Sequence, residues 1–505
     1  MTDKNTSPLV KPAKSGLLSV LFDNKVIVLF IILCTACTLI ADTSVSYIAA
    51  EVFTRFGRNT CLVLALIVPC LAGLGMNFGI VVGAIAAQIA IFWIVHWGFT
   101  GIEGFLLCVL MCTPLAIFFG WLLGKLYNNT KGAEMVAGLV LAFFADGVYR
   151  LFVLYIIGGV IPYDDPNLLP RGFGLRNAFD LTGNIKYALD DVSFLVTLRL
   201  LFIVTILGEL INLIYQKKTK GKFDQRASLV KIIGAAVLLA VSFLIGNLPI
   251  VQSVVGGTRL RLTDALCIGA VVAVIYLVAK LLIDRRAGRE VNVKKTVLLC
   301  ALCVAVYAAT YINAIYQITQ AVQLPALTYA IIVLFCMFNN WILGTKLGQE
   351  MRTVGQSRAV AVSAGVNVDK TRIIATCIST VLAAWGQLIF LQNLGTFNTV
   401  QQQSNVGLYA VAAILVGGAN VQKATNKQAV IGVILFHTLF VVAPLAATEI
   451  VGDSAISEYI RMFISYGVIT VSLAMHAWKS VKSRHSSGKP GKSDPEVAVI
   501  EAEAN

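Results

Sequence analysis

One feature constrains this chain more than any other: long, continuously apolar runs recur along it, residues 373–391 being typical. Wound as helices, runs of about 18–24 residues match a hydrocarbon layer roughly 30 Å thick. In lipid every backbone N–H and C=O must be satisfied within the element, which leaves helices or closed barrels. The runs do not alternate apolar with polar residues, and this excludes a barrel. Only 13% of the residues are charged, against roughly 25% in a soluble chain. The expected fold is therefore all-α: a polytopic transmembrane helix bundle of about 14 apolar segments. They are 26–41, 60–76, 78–97, 104–124, 134–157, 192–214, 229–246, 263–283, 296–313, 325–344, 373–391, 406–419, 428–446 and 459–478. The second and third are separated only by a glycine-rich stretch, Gly73 to Gly79. It reads either as a turn or as a broken helix inside the bilayer.

Charge orients the bundle. With the N-terminus in the cytoplasm and the segments alternating, 28 of the 40 Lys and Arg fall on the cytoplasmic side. Seven fall outside, Arg55 and Arg58 among them, and the rest lie within segments. That bias is the positive-inside signal, and it places both termini in the cytoplasm. It also accounts for the net charge of +14 without nucleic acid, because the basic residues are divided among many short loops. The first run follows Lys4, Lys11, Lys14 and Lys25, lacks a small-x-small cleavage site, and reads as a retained helix rather than a signal peptide. The expected organisation is a cytoplasmic segment 1–25, a first core part 26–191 ending in an outside loop 158–191, further spans 192–313, a second core part 314–478, and a disordered tail 479–505.

Chemistry is sparse. All eleven cysteines lie in or beside apolar runs and read as small buried hydrophobes. No metal site is expected: Cys34/Cys37 and Cys300/Cys303 have CxxC spacing but no completing ligands. The phosphate-loop pattern is absent, since Val368–Asp369–Lys370–Thr371 has Asp where Gly is needed. There is no HExxH and no GxSxG. No catalytic residues and no cofactor are expected on this chain.

Ionisable groups at membrane depth are costly and often functional. Asp146 and Arg150 are four residues apart and share a helix face. They form either part of a pathway or a buried ion pair that fixes packing. Amides give a softer signal: Asn77 and Phe78 in the glycine-rich stretch, Gln88, Asn339, and Asn393 with Asn398 at one mouth. Broken helices with amides bind uncharged polar solutes in carriers; interhelical hydrogen bonding is the alternative.

Between two apolar segments lies GQSRAVAVSAGVNVDKTR, residues 355–372. The charge bias makes it cytoplasmic, and ordered loops as long as 345–371 are usually functional. The stretch LGTKLGQEMRTVGQSRAVAVSAGVNVDKTRIIATCISTVLAAWGQ, followed by LYAVAAILVGGANV and AVIGVILF, resembles the permease subunits of bacterial ABC importers of the ribose, simple-sugar, nucleoside and branched-chain amino-acid group. Their loop pattern is matched at Gly348, Gly355, Ser357, Ala359, Ala361, Gly365, Val366, Asn367 and Lys370, and their later Gly-Gly at Gly417–Gly418. GMNFGIVVGAIAAQ at 75–88 resembles their early glycine segment. The likeness covers 26–160 and 325–478 and leaves 192–313 without a counterpart. NVQKATNKQ departs from the glycine-rich stretch that usually follows Gly-Gly.

The resemblance implies a core of about ten spans in a bacterial inner membrane, with about four inserted at 192–313. It implies a coupling helix within 355–372, where Gly355, Ser357, Arg358, Ala359, Ala361, Gly365 and Asn367 would meet an ATPase subunit. Arg352, Lys370 and Arg372 would add contacts. The implied partners are two ATP-binding cassette subunits carrying ATP and Mg, a second permease subunit, and an extracytoplasmic solute-binding protein. An ion-gradient-driven carrier with 14 spans is the alternative. It would show repeated halves and a functional carboxylate.

Overall fold

The computed structural model describes residues 25–130, 132–162, 174–219, 225–246, 256–286, 293–400, 402–420 and 423–453. It also describes 169, 252, 456, 459–464, 466–467 and 470–471. The expected N-terminal segment (apart from Lys25), the expected tail and half of the last span fall outside these residues.

Almost everything described is helix. Helices α1 (Lys25–Ile40), α2 (Val45–Leu64) and α3 (Ile67–Leu71) lead into α4 (Ile80–His96), α5 (Gly101–Asn129) and α6 (Glu134–Leu151). A π-helical turn, Phe152–Ile156, continues α6. Next come α7 (Phe194–Thr219), α8 (Gln225–Ile245), α9 (Leu262–Arg286), α10 (Val293–Ala309) and α11 (Asn313–Ala321). The remainder is α12 (Ala326–Gly344), α13 (Lys346–Gln356), α14 (Arg358–Ser363), α15 (Val368–Leu394), α16 (Gln402–Val416) and α17 (Asn426–Val451). Among the described residues eight helices are long and apolar enough to cross a membrane, or nine if the bent pair Thr296–Ala309 and Asn313–Ala321 is one span. Three more apolar helices are shorter: Val26–Ile40, Ile80–His96 and Lys231–Leu244.

The ends of the bundle differ. At one end short strands join distant loops: β1 (Ala178–Asp180) pairs antiparallel with β4 (Thr396–Asn398), and β2 (Arg259–Arg261) with β3 (Gln323–Pro325). Gly101 N–H donates to the Asn184 carbonyl at 2.7 Å at this end. The opposite end gathers residues 72–79, 128–134, 345–369 and 426. Asn128 donates to the Asp369 carbonyl there, and Asn426 joins Asn339 and Asn340.

Three sequence boundaries shift. The second span begins at Val45, not residue 60: Arg55 and Arg58 are helical, and Arg55 pairs with Glu51 one turn earlier at 2.7 Å. These two arginines therefore do not belong to an outside loop. The division at Gly73 is a true reversal, with Gly73 and Gly75 both at positive φ, lying at the end that carries 345–369. The expected loop 345–371 is mostly helical, being α13, α14 and the start of α15.

Candidate functional site

Local capping builds the segment 345–372. Thr345 accepts from Gly348 N–H and starts α13. Ser357 is extended at φ −160° and its hydroxyl accepts from Val360 N–H, so it closes α13 and opens α14. Gly365 sits at φ +77° while Val366 N–H returns to the Ala361 carbonyl. This left-handed glycine stop ends α14. Asn367 then accepts from Lys370 N–H and caps α15. Ser357, Gly365 and Asn367 thus have local backbone roles that would hold whatever the segment touches.

The residues expected to face a partner divide between two faces. Ala359 is exposed, as are Val360 (58%) and Val362 (64%). Ala361 is fully buried against its own chain. Gly355 is turned inward as well: a Cβ there would strike the Leu71 carbonyl oxygen. Arg358 donates to the Glu134 carboxylate. Arg372, expected to add an outward contact, is 1% exposed and donates to the same oxygen at 2.6 Å. Glu134 was not singled out from sequence; its arginine partners lie 224 and 238 positions away.

Beneath α13 lies the reversal at 72–79. Gly73 and Gly355 meet backbone to backbone, a Cβ on Gly73 falling 2.8 Å from the Gly355 Cα. Met351 packs beside them with Ala72, Leu74, Leu123 and Tyr127, and Val354 is buried. Tyr127 donates to the Asn77 side-chain oxygen at 2.6 Å, its hydroxyl wedged between Gly79 and Gly138. Asn77 reaches Ser379 at 3.5 Å, and Ser379 donates to the Ala65 carbonyl. Asn77 is thus part of a satisfied buried network, with Phe78 half-buried beside it.

A polar layer stands above that network. Gln88 lies nine residues beyond Gly79, Asp146 eight beyond Gly138, and Gln387 eight beyond Ser379. With a rise of about 1.5 Å per residue, all three stand about 12–14 Å above the Tyr127 hydroxyl. Asp146 pairs with Arg150 at 2.6 Å and accepts from Gln403. Gln88 and Gln387 are fully buried, and neither amide has a hydrogen-bond partner at nitrogen or oxygen. Each such atom costs about 1–3 kcal/mol. Gln387 and Gln403 escaped the sequence reading, although for Gln387 a glutamine within an apolar run is the signal that picked out Gln88; Gln403 lies in a polar stretch before the 406–419 run.

The other amides are engaged elsewhere. Asn339 donates to the Leu64 carbonyl and to Asn426 at the end that carries 345–369, which is interhelical packing. Asn393 donates to Asp190 at 2.6 Å, and Asp190 also accepts from Thr328 and Gln392. Asn398 is paired in β4. Asp190 and Asn393 line a cavity of about 250 Å³ at the strand-bearing end, with Arg58, Tyr187, Arg259 and Tyr329. No cluster of His, Cys, Asp or Glu among the described residues could hold a metal ion.

Residues 180–473 match the family model described as branched-chain amino acid transport system / permease component. The match runs through 192–313, which the sequence had left without a counterpart, and begins after 26–160. The xylose transport system permease protein XylH of Haemophilus influenzae is 29% identical over 133 residues, 26% of this chain. That stretch spans 34% of the relative's own length. No solved structure matches the chain.

Proposed function

Because this chain belongs to the branched-chain amino acid transport system / permease component family, we propose that it works as the membrane subunit of an ATP-driven, binding-protein-dependent importer, with α14 as its docking face for an ATPase subunit. One observation carries the docking assignment. Val360 and Val362 stand exposed on a six-residue helix at the end where the basic residues gather, capped on both sides and anchored from below. That end faces the cytoplasm of a bacterial inner membrane in this reading. ATP and Mg belong to the partner, because this chain has no phosphate loop. A second permease subunit and an extracytoplasmic binding protein complete the complex.

The solute is small, polar and uncharged, and a sugar suits it best. The relative named for xylose supports this, as do the unpartnered amides of Gln88 and Gln387, which match hydroxyl groups. The ion-gradient alternative gains nothing from Asp146, whose carboxylate is held by Arg150 and Gln403.

Membranes carrying the tagged chain with its cognate ATPase and binding protein test the reading. Wild type should retain the ATPase subunit and take up pentose or hexose only when ATP is present. Val362→Asp should lose both, by about tenfold or more for a charge placed in an apolar contact, while its melting temperature in detergent stays unchanged. Uptake that persists after ATP depletion would sink the proposal.

A further inference from the structure

One carboxylate oxygen holds two guanidinium groups from different elements. Glu134 Oε1 accepts from Arg358, at the first position of α14, and from Arg372, in the first turns of α15. Gly132 N–H also donates to it at 3.3 Å. The acidic side chain is 9% exposed, Arg372 2% and Arg358 33%. The triad carries net charge +1, so the two arginines repel wherever the carboxylate is missing. Arg372 is walled in by its own helix bundle, whereas Arg358 sits on a short helix bounded by extended Ser357 and left-handed Gly365. Repulsion would therefore move α14, not α15. Just before α14, Gly355 rests on Gly73 with no side chain between them. Glu134 opens α6, and Gly138 one turn later abuts the Tyr127 hydroxyl bound to Asn77. Two separate contacts thus tie the α13–α14 junction to the reversal at 72–79.

We infer that Glu134 is a positioning residue for transport: it clamps α14, through Arg358, to α6 and α15, so that a displacement of α14 by the ATPase reaches the reversal at 72–79. The inference rests on the docking role proposed for α14. The carboxylate takes no part in docking, since it is 9% exposed and held by Arg358 and Arg372, whereas Val360 and Val362 are exposed. A ligand shifts a conformation only through a difference in contact between states. The triad supplies a contact that depends on where α14 stands.

Glu134→Gln in the complete transporter is the test, read as uptake, ATP hydrolysis and ATPase retention together. The expected result is retained ATPase subunits, continued hydrolysis, and maximal uptake reduced about tenfold or more at unchanged KM, within the range of ordinary coupling. Glu134→Asp should restore much of the uptake. Glu134→Gln also leaves Arg372 buried and unpaired, so a second variant separates folding from positioning. Glu134→Gln with Arg372→Gln removes that buried charge but still leaves Arg358 without an anchor, and it should remain uncoupled. Normal uptake in Glu134→Gln would overturn the inference, and so would restored uptake in the double variant. A wild-type chain that retains no ATPase subunit would instead defeat the importer reading itself.

Discussion

The long helices of α2–α6 and α12–α17 and those of α7–α10 are all apolar enough to cross a membrane, yet α2 and α17 are packed differently from α7 and α9. Nearly three-quarters of the apolar window of Val45–Leu71 is buried (72%), and 67% of that of Asn426–Val451. For Phe194–Ile211 and Leu262–Leu281 the figure is 6%. Lipid is as apolar as leucine, so hydrophobicity alone does not press one membrane helix against another; close backbone approach does. The first group has that approach. Gly432 on α17 lies against the Ala413 carbonyl of α16, and Gly83 on α4 against the Thr380 carbonyl of α15. In the second group Gly208, Gly234 and Gly269 face open space. There α7 pairs with α8 and α9 with α10. The two hairpins reach the rest through α7 against α12 and α11 against α2, and through the β2–β3 pairing.

Three experiments press on this contrast. The largest effect is expected from Gly432→Val, whose added carbons have nowhere to go against a backbone carbonyl. It should cost about 3 kcal/mol or more, at the upper end of overpacking, and show as loss of the monodisperse peak in detergent. Excision of residues 194–309 should have an intermediate effect. It removes α7–α10, an even number of helices, so α12–α17 keep their orientation; ATPase retention should survive while thermal stability falls. Loss of the folded protein altogether would mean that these helices hold the core together. The smallest effect is expected from Gly234→Val, with no atom within 4 Å. A stability unchanged to within about 0.5 kcal/mol, read as an unshifted melting temperature, is the expected outcome, and a large drop would show that α8 is packed after all.

The contrast also explains what the sequence could convey. Apolar periods, the charge bias and the short polar segment at 355–372 are local signals, and they located the bundle, its ends and α14. The start of α2 was missed because Arg55 and Arg58 read as loop. They are tolerated in a helix because Glu51 and the Phe440 and Phe390 rings take up their charge. The inward turn of Gly355 and Arg358 was illegible for another reason: the surfaces that receive them come from residues 71–73 and from Glu134, more than 200 positions earlier. Small residues at 355–365 marked a place where backbones come close. They did not say whether the approaching backbone was a partner's or the chain's own, and the structure gives Gly355 to the chain itself.

Helix α16 has a consequence for how the protein is made. It is 15 residues long, which at about 1.5 Å per residue gives roughly 22 Å, short of a hydrocarbon layer roughly 30 Å thick. It opens with Gln402 and Gln403, and it is buried along almost its whole length from Val406 to Val416. Such a segment is a poor substrate for insertion when it first leaves the ribosome. Its place in the membrane is kept by α4 and α17, and α17 is synthesised after it. Assembly of this bundle is therefore not a sequence of independent insertions: α16 has to wait at the membrane until Gly417 and Gly432 allow α17 to close over it.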